Sequence, residues 1–275
     1  MTRAGGTSRR VAVVTTALLL ASVATALAHD LFLKPVRYHV AENSEVLVRV
    51  LNGTFSQSEN SIVRSRVRDI AVVSPAGRAR VDTAAWTDKG DTSTLLVRTG
   101  AAGTYVIGAS TTASTIALSA EDFNTYLRDD GIPDVLAARR RDGTLGKPAR
   151  ERYSKHIKSL IQVGARRSDG FDVVLGYPAE LAPMANPYAL RAGDTLRLRV
   201  LVHGNPVARQ LVMFGGRTTA DARIEARTAR SDANGVVAVP LRSAGTWYVK
   251  FIHMAAVKDS VDYESNWASL TFEIR

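Results

Sequence analysis

The chain of 275 residues contains no cysteine, and that absence removes several chemistries at once. Disulfides, thiolate metal ligands, cysteine nucleophiles and a lipid-anchored cysteine are all excluded, so stability must come from packed apolar cores. Methionine is scarce as well, at four residues, which argues against a dedicated Cu(I) site built from soft sulfur. No G-x-S-x-G elbow, H-E-x-x-H helix or G-x-x-x-x-G-K-[ST] loop occurs, so hydrolase, metalloprotease and nucleotide-dependent roles lack their signatures. After Ala28 no apolar run approaches the ~18 residues needed to cross a bilayer, and the mature chain is expected not to span a membrane.

What is present begins with a processing signal. Arg3, Arg9 and Arg10 precede an apolar run from Val11 to Leu20, and small residues then lead to Ala26-Leu27-Ala28, the anatomy of a secretory signal peptide over residues 1–28. Ser8-Arg9-Arg10 partly resembles a twin-arginine signal, although Ala12 stands where a bulky residue is usual. The expected location is periplasmic or otherwise secreted. Removal of this segment, with its three arginines and no acid, takes the formal charge from +10 to +7. The remaining basic runs, Arg139-Arg140-Arg141 and Arg166-Arg167, are short and not interleaved with aromatics, so no nucleic-acid partner is expected.

Cleavage after Ala28 would make His29 the first residue. Its freed α-amine, of ordinary pKa about 7.7–8.0, and its imidazole Nδ1 can then close a chelate ring on one divalent ion. The plain alternative is that a histidine follows the cleavage site by chance.

The rest of the chain predicts a mainly β protein: two antiparallel β-sandwich domains with a short helical insertion between them. In residues 29–118, Val46–Leu51, Asp69–Val73, Thr94–Arg98 and Gly103–Gly108 are short β-rich runs separated by turns, which reads as the first sandwich. Ser119-Ala120-Glu121-Asp122 resembles a capping box opening a helix that Gly131-Ile132-Pro133 stops, and a second short helix runs from Pro133 to Arg141. Tyr153, Ile157, Leu160 and Ile161, at i, i+4, i+7 and i+8, predict a third helix from about Pro148, completing the insertion over residues 119–163. Residues 164–184 form a connecting segment, with prolines at 178, 183 and 187 around its end. Residues 185–275 return to β rhythm and suffice for a second small sandwich.

Two resemblances refine this reading. Leu196–Val202, Gly204-Asn205-Pro206, Asp232–Gly235 and Gly245-Thr246-Trp247 resemble the strand and turn order of a carboxypeptidase-regulatory or transthyretin-like sandwich. That scaffold is widespread and speaks to fold rather than function. His29–Pro35, Glu151–Lys155, Val249–Met254 and Trp267–Phe272 together resemble the bacterial domain-of-unknown-function family 4198, whose members are described as NikM-like periplasmic components of nickel or cobalt uptake systems. The resemblance implies a metal-binding accessory protein and a membrane metal transporter as partner.

The expected metal ligands are His29, His253 and Glu264. His253 ends an apolar strand before the irregular stretch Ala255–Ser260, and Glu264 follows that stretch, with Asp259 and Asp262 nearby. Imidazole plus amine favours Cu(II), Ni(II), Co(II) or Zn(II) over Mg(II) or Ca(II); the preference for nickel or cobalt comes only from the resemblance. His156, beside the apolar stripe, reads as solvated or edge-packed, His203 as an exposed turn residue, and His39 as an outside candidate. Trp247 and Trp267 read as core anchors. The expected function is capture or delivery of a divalent transition-metal ion without turnover, so no enzyme is expected. The alternatives are a non-catalytic scaffold or adhesion protein with incidental histidines, and a copper-dependent oxidative enzyme using a terminal-histidine brace.

Overall fold

Short β-branched runs between turn residues form most of the molecule, described over residues 29–275 in a computed structural model; the expected signal peptide lies outside the described residues. The first part supplies β1 (Asp30–Pro35), β2 (His39–Val40), β3 (Glu45–Gly53), β4 (Val67–Ser74), β5 (Gly77–Arg80), β6 (Trp86–Lys89), β7 (Thr92–Arg98), β8 (Gly103–Thr111) and β9 (Ser114–Leu118). Helices α1 (Ala120–Asp129) and α2 (Pro133–Arg141) follow, and then the long strand β10 (Ala149–Val163). The remainder comprises β11 (Ala179–Pro183), β12 (Thr195–Val202), β13 (Asn205–Pro206), β14 (Leu211–Thr218), β15 (Arg223–Arg230), β16 (Val236–Pro240), β17 (Gly245–Ala256) and β18 (Tyr263–Ile274).

A ten-stranded mixed sheet runs through both halves of the chain in the order β15-β14-β17-β18-β10-β8-β4-β5, with β2 and β9 also paired to β10. The halves are joined where β10 and β18 pair in parallel, from Glu151 opposite Tyr263 to Ser159 opposite Thr271. Two four-stranded sheets flank it, β1-β3-β7-β6 and one of β11, β12, β13 and β16.

Alternation along the central strands assigns each flanking sheet to its own face. Ile157, Ile161 and Val163 of β10 pack with Val48, Val50, Trp86 and Leu95 of the first flanking sheet. Leu160 of β10 packs instead with Leu196, Leu198 and Val200 of the second, together with Val249, Phe251, Leu270 and Phe272 of β17 and β18. The two flanking sheets therefore cover opposite faces of one central sheet.

This arrangement corrects the expected third helix. Residues 149–163 are a strand, because β10 is buried on both faces from Lys155 onward and its apolar residues need not alternate with exposed ones. A doubly buried strand carries apolar side chains at helical spacing as readily as an amphipathic helix does.

The two helices lie where the capping residues place them. Ser119 Oγ accepts the backbone N–H of Asp122 at 3.1 Å, and Pro133 occupies the first turn of α2. Phe123, Tyr126 and Leu127 of α1 pack on Ile252, Met254 and Trp267 of the central sheet, on the same face as β1. Replacing Ser119 by alanine is expected to lower stability by about 1 kcal/mol in denaturant unfolding, by removing this cap.

Candidate functional site

The residue that cleavage would place first sits directly before β1, and β1 is pinned to the central sheet. Ser269 Oγ donates to the Leu31 carbonyl at 2.7 Å, and Thr271 Oγ1 donates to the Leu33 carbonyl. At the start of the strand the anchors become ionic. The Asp30 carboxylate pairs with the buried ammonium of Lys250, and buried Lys155 donates to the carbonyl oxygen of His29, with Asn52 Oδ1 3.3 Å away.

Water is scarce around these charges. Desolvation pushes the Lys155 ammonium down to about 8, with Asp30 pulling the other way. Asp130, at the end of α1, is pushed up to about 7 by the same loss of water, against the pull of Lys250. Trp267 packs beneath, with the Lys155 ammonium 5.1 Å from its ring centre.

The His29 ring lies partly exposed, its Nε2 3.5 Å from Glu59 Oε2. A metal bound through the α-amine and Nδ1 would leave Nε2–H directed at this carboxylate, the outer-shell arrangement that fixes a ligating imidazole in one tautomer. The main chain of His29 is thus held from inside while its ring faces out.

The other expected ligands lie elsewhere. Along β17, Lys250, Ile252 and Met254 face β1 and the helices, whereas Val249, Phe251 and His253 alternate to the opposite face. The central sheet therefore stands between His253 and His29. His253 Nδ1 is 3.0 Å from Gln210 Oε1. Glu264 accepts from Arg152 at 2.6 Å, Asp259 shares that guanidinium at 2.8 Å, and Asp262 accepts the Arg150 backbone N–H at 2.7 Å. The loop carboxylates are thus occupied by arginine and backbone partners. Among the described residues no group of three histidine or acidic side chains is placed to hold a metal ion together.

Two further histidines are structural in character. His39 packs against the Tyr188 ring and is pushed down to about 4 by desolvation, with Arg275 adding to the effect. His156, read from sequence as solvated or edge-packed, is 2 % exposed. Ser154 Oγ donates to Asn266 Oδ1 at 2.9 Å, so its oxygen is free to accept from His156 Nε2–H at 3.0 Å, and Nδ1 then accepts from Ser110 Oγ at 2.9 Å.

Burial pushes His156 down to about 4, so it is neutral near pH 7. Because its folded pKa lies below the ordinary value of about 6.5, the unfolded chain binds the extra proton first on acidification. Its contribution is complete above about pH 6.5 and is lost as the pH falls toward 4. Asp130 acts in the opposite direction, since its raised pKa makes stability fall as the pH rises from about 4 to 7. The His156 effect is therefore read from the difference between wild type and His156→Gln, where the Asp130 contribution cancels. The expected advantage of wild type shrinks between pH 6.5 and 4 in urea titrations; a constant difference would contradict this assignment.

A family of proteins described as "Domain of unknown function (DUF4198)" matches residues 26–255. No curated protein matches the chain. Among solved structures, a DUF4785 family protein from Legionella pneumophila is 10 % identical, with 78 % of this chain and 49 % of that chain covered and a TM-score of 0.23. Trypsin-activated α2-macroglobulin from Escherichia coli is 10 % identical, with 90 % and 16 % covered and a TM-score of 0.21. A tetra-tandem repeat from the extending region of a large adhesion protein is 12 % identical, with 89 % and 49 % covered and a TM-score of 0.22. The chain spans about half or less of each of these structures, and likenesses this weak carry no argument about fold or function.

Proposed function

The chain belongs to the DUF4198 family, and we propose that it is an exported metal-binding accessory protein whose His29, once made N-terminal by cleavage, captures a divalent transition-metal ion and passes it on. The observation that supports this reading is the anchoring of the His29 carbonyl and the Asp30 carboxylate by two buried lysines, with Glu59 beside the imidazole. A terminal residue is ordinarily among the least ordered parts of a chain, so fixing this one reduces the entropy lost on chelation.

The donor set favours delivery over storage. His29 provides two nitrogens and Glu59 orients the ring, leaving coordination positions for water or for donors from a receiving membrane transporter. An ion held this openly exchanges more readily than one in a closed four-ligand site. Amine and imidazole suit Ni(II), Co(II), Cu(II) and Zn(II) alike, and the NikM-like description of the family favours nickel or cobalt.

The test is calorimetric titration of these four ions into protein beginning at His29 and into protein carrying one additional alanine before it. The expected result is sub-micromolar affinity that drops at least tenfold, or about 1.4 kcal/mol, when the alanine caps the histidine. Glu59→Gln is expected to weaken binding by about tenfold without affecting unfolding. Equal affinity of the two termini would overturn the reading and leave a non-catalytic scaffold in its place. Reductant-dependent oxygen consumption by a copper-loaded sample would instead identify the oxidative enzyme.

A further inference from the structure

At the β4–β5 edge of the central sheet, a cleft of about 560 Å³ opens between β4–β5, the segment Leu175–Pro178 and the turn joining β12 to β13. We propose that this cleft binds a small polyanion carrying phosphate or carboxylate oxygens, through Arg68, Arg78 and Arg80.

The charge inventory points to an anion. Three guanidiniums line the cleft against one carboxylate, that of Asp69. Asp69 already accepts the Tyr177 hydroxyl at 2.9 Å and lies 3.6 Å from Arg78 and 3.5 Å from Arg80. It neutralises at most one of the three charges, and Arg68 has no acidic partner within 4.0 Å among the described residues. The number of guanidiniums alone would also fit a solvated basic surface. Here they border a concavity of the size that takes a small organic ligand.

The cleft is also built rather than incidental. Arg78 Nη1 donates to the Leu175 carbonyl at 2.9 Å, which fixes one side of the guanidinium and leaves other N–H groups of the fork for a ligand. The Leu175–Tyr177 segment is itself held, because its three backbone N–H groups donate to the buried Glu180 carboxylate. Opposite, His203 and Gly204 form a two-residue turn with φ of 49° and 78°, the left-handed pair that a tight hairpin requires, and both line the cleft. Ser110 in the wall is bound to neutral His156, so the floor adds no negative charge that would repel an anion. A planar guanidinium matches two oxygens of a carboxylate or phosphate at once, so several converging on one volume select ligands with more than one such group.

The experiment uses the folded protein titrated by calorimetry with inorganic phosphate and, separately, with citrate, at constant ionic strength set with sodium chloride. One-to-one binding of either anion is expected, and the arm that binds identifies phosphate or carboxylate as the preferred chemistry. Arg68→Gln is expected to weaken that binding at least fivefold with an unchanged melting temperature in the absence of ligand, since its side chain makes no ion pair that folding uses. Arg78→Gln should weaken it further, and His29→Ala should leave it unaffected. If neither anion binds, or if both arginine variants bind as wild type does, the proposal is wrong.

Discussion

Glu180→Gln is expected to destabilise the folded protein by about 3–5 kcal/mol, because it strands a buried charge. Lys158 and Glu180 are 4 % and 1 % exposed and 2.5 Å apart, joining β10 of the central sheet to β11 of the flanking sheet. Lys158 also donates to the carbonyl oxygens of Val173 and Leu181, but carbonyl dipoles do not replace a full countercharge. Desolvation already lowers the Lys158 pKa, and the Glu180 charge is the largest influence opposing it. In the variant the lysine escapes by losing its proton. Neutralising a lysine of ordinary pKa about 10.4 at pH 7 costs about 5 kcal/mol, which caps the penalty. The unfolded lysine loses its own proton near pH 10, so the deficit should shrink as the pH rises from 7 toward 10. The double variant Lys158→Met/Glu180→Gln removes the stranded charge and should recover at least 1.5 kcal/mol, or about a tenfold change in the folding equilibrium. Some deficit remains, since the Leu175, Gly176 and Tyr177 N–H groups lose a carboxylate acceptor. Urea unfolding of the three proteins at pH 7 and 9.5 measures this directly. A Glu180→Gln loss below 1 kcal/mol would mean that water reaches the pair.

The same pair shows why part of the molecule was legible in sequence and part was not. Val46–Leu51, a short β-rich run between turns, and the alternating Thr195–Val202 read as strands, and those lie in β3 and β12. The Ser119 cap and the Gly131-Ile132-Pro133 stop identified α1 and α2, since capping is chemistry within a few residues of the chain. Ile157-Lys158-Ser159-Leu160-Ile161 gave the wrong element because its pattern is set by two different sheets, contributed by strands within residues 30–98 and 179–240. A lysine inside an apolar run was the available signal, and His156 beside it read as solvated or edge-packed on a helix. The site divides similarly. His29 was proposed from local processing chemistry alone, whereas Glu59 and Lys155 beside it, and Lys250 beside Asp30, are brought there only through pairing of strands distant in the chain. His253 illustrates the reverse, a correctly placed strand whose parity carries the imidazole to the face away from His29. One position along a strand decides such an outcome, and composition does not fix it.

That shared central sheet makes the second large expectation, which concerns how the molecule unfolds. Ile157→Ala and Leu160→Ala truncate neighbouring side chains of β10 that point to opposite faces, one into the core of the first flanking sheet and one into that of the second. Both are essentially unexposed, at 2 % and 0 %, so each deletion is expected to cost about 2–5 kcal/mol, from lost transfer free energy and the cavity left behind. If the halves were independent sandwiches, each substitution would shift one of two transitions and leave the other unchanged. Here β10 pairs with β8 of the first half and with β18 of the second, and so cannot lose its place in one core while keeping it in the other. Both variants should therefore shift a single transition by comparable amounts, with tryptophan fluorescence reporting from Trp86 in one core and Trp247 in the other. Retaining only Trp86 or only Trp247, with phenylalanine at the other two tryptophans, separates the two reports, and the midpoints should still coincide in each background. Divergent midpoints would show that the parallel β10–β18 contact is weak enough to break first. In that case the anchoring of His29, which depends on Lys155 of β10 and Lys250 of β17 together, would be lost before either core unfolds.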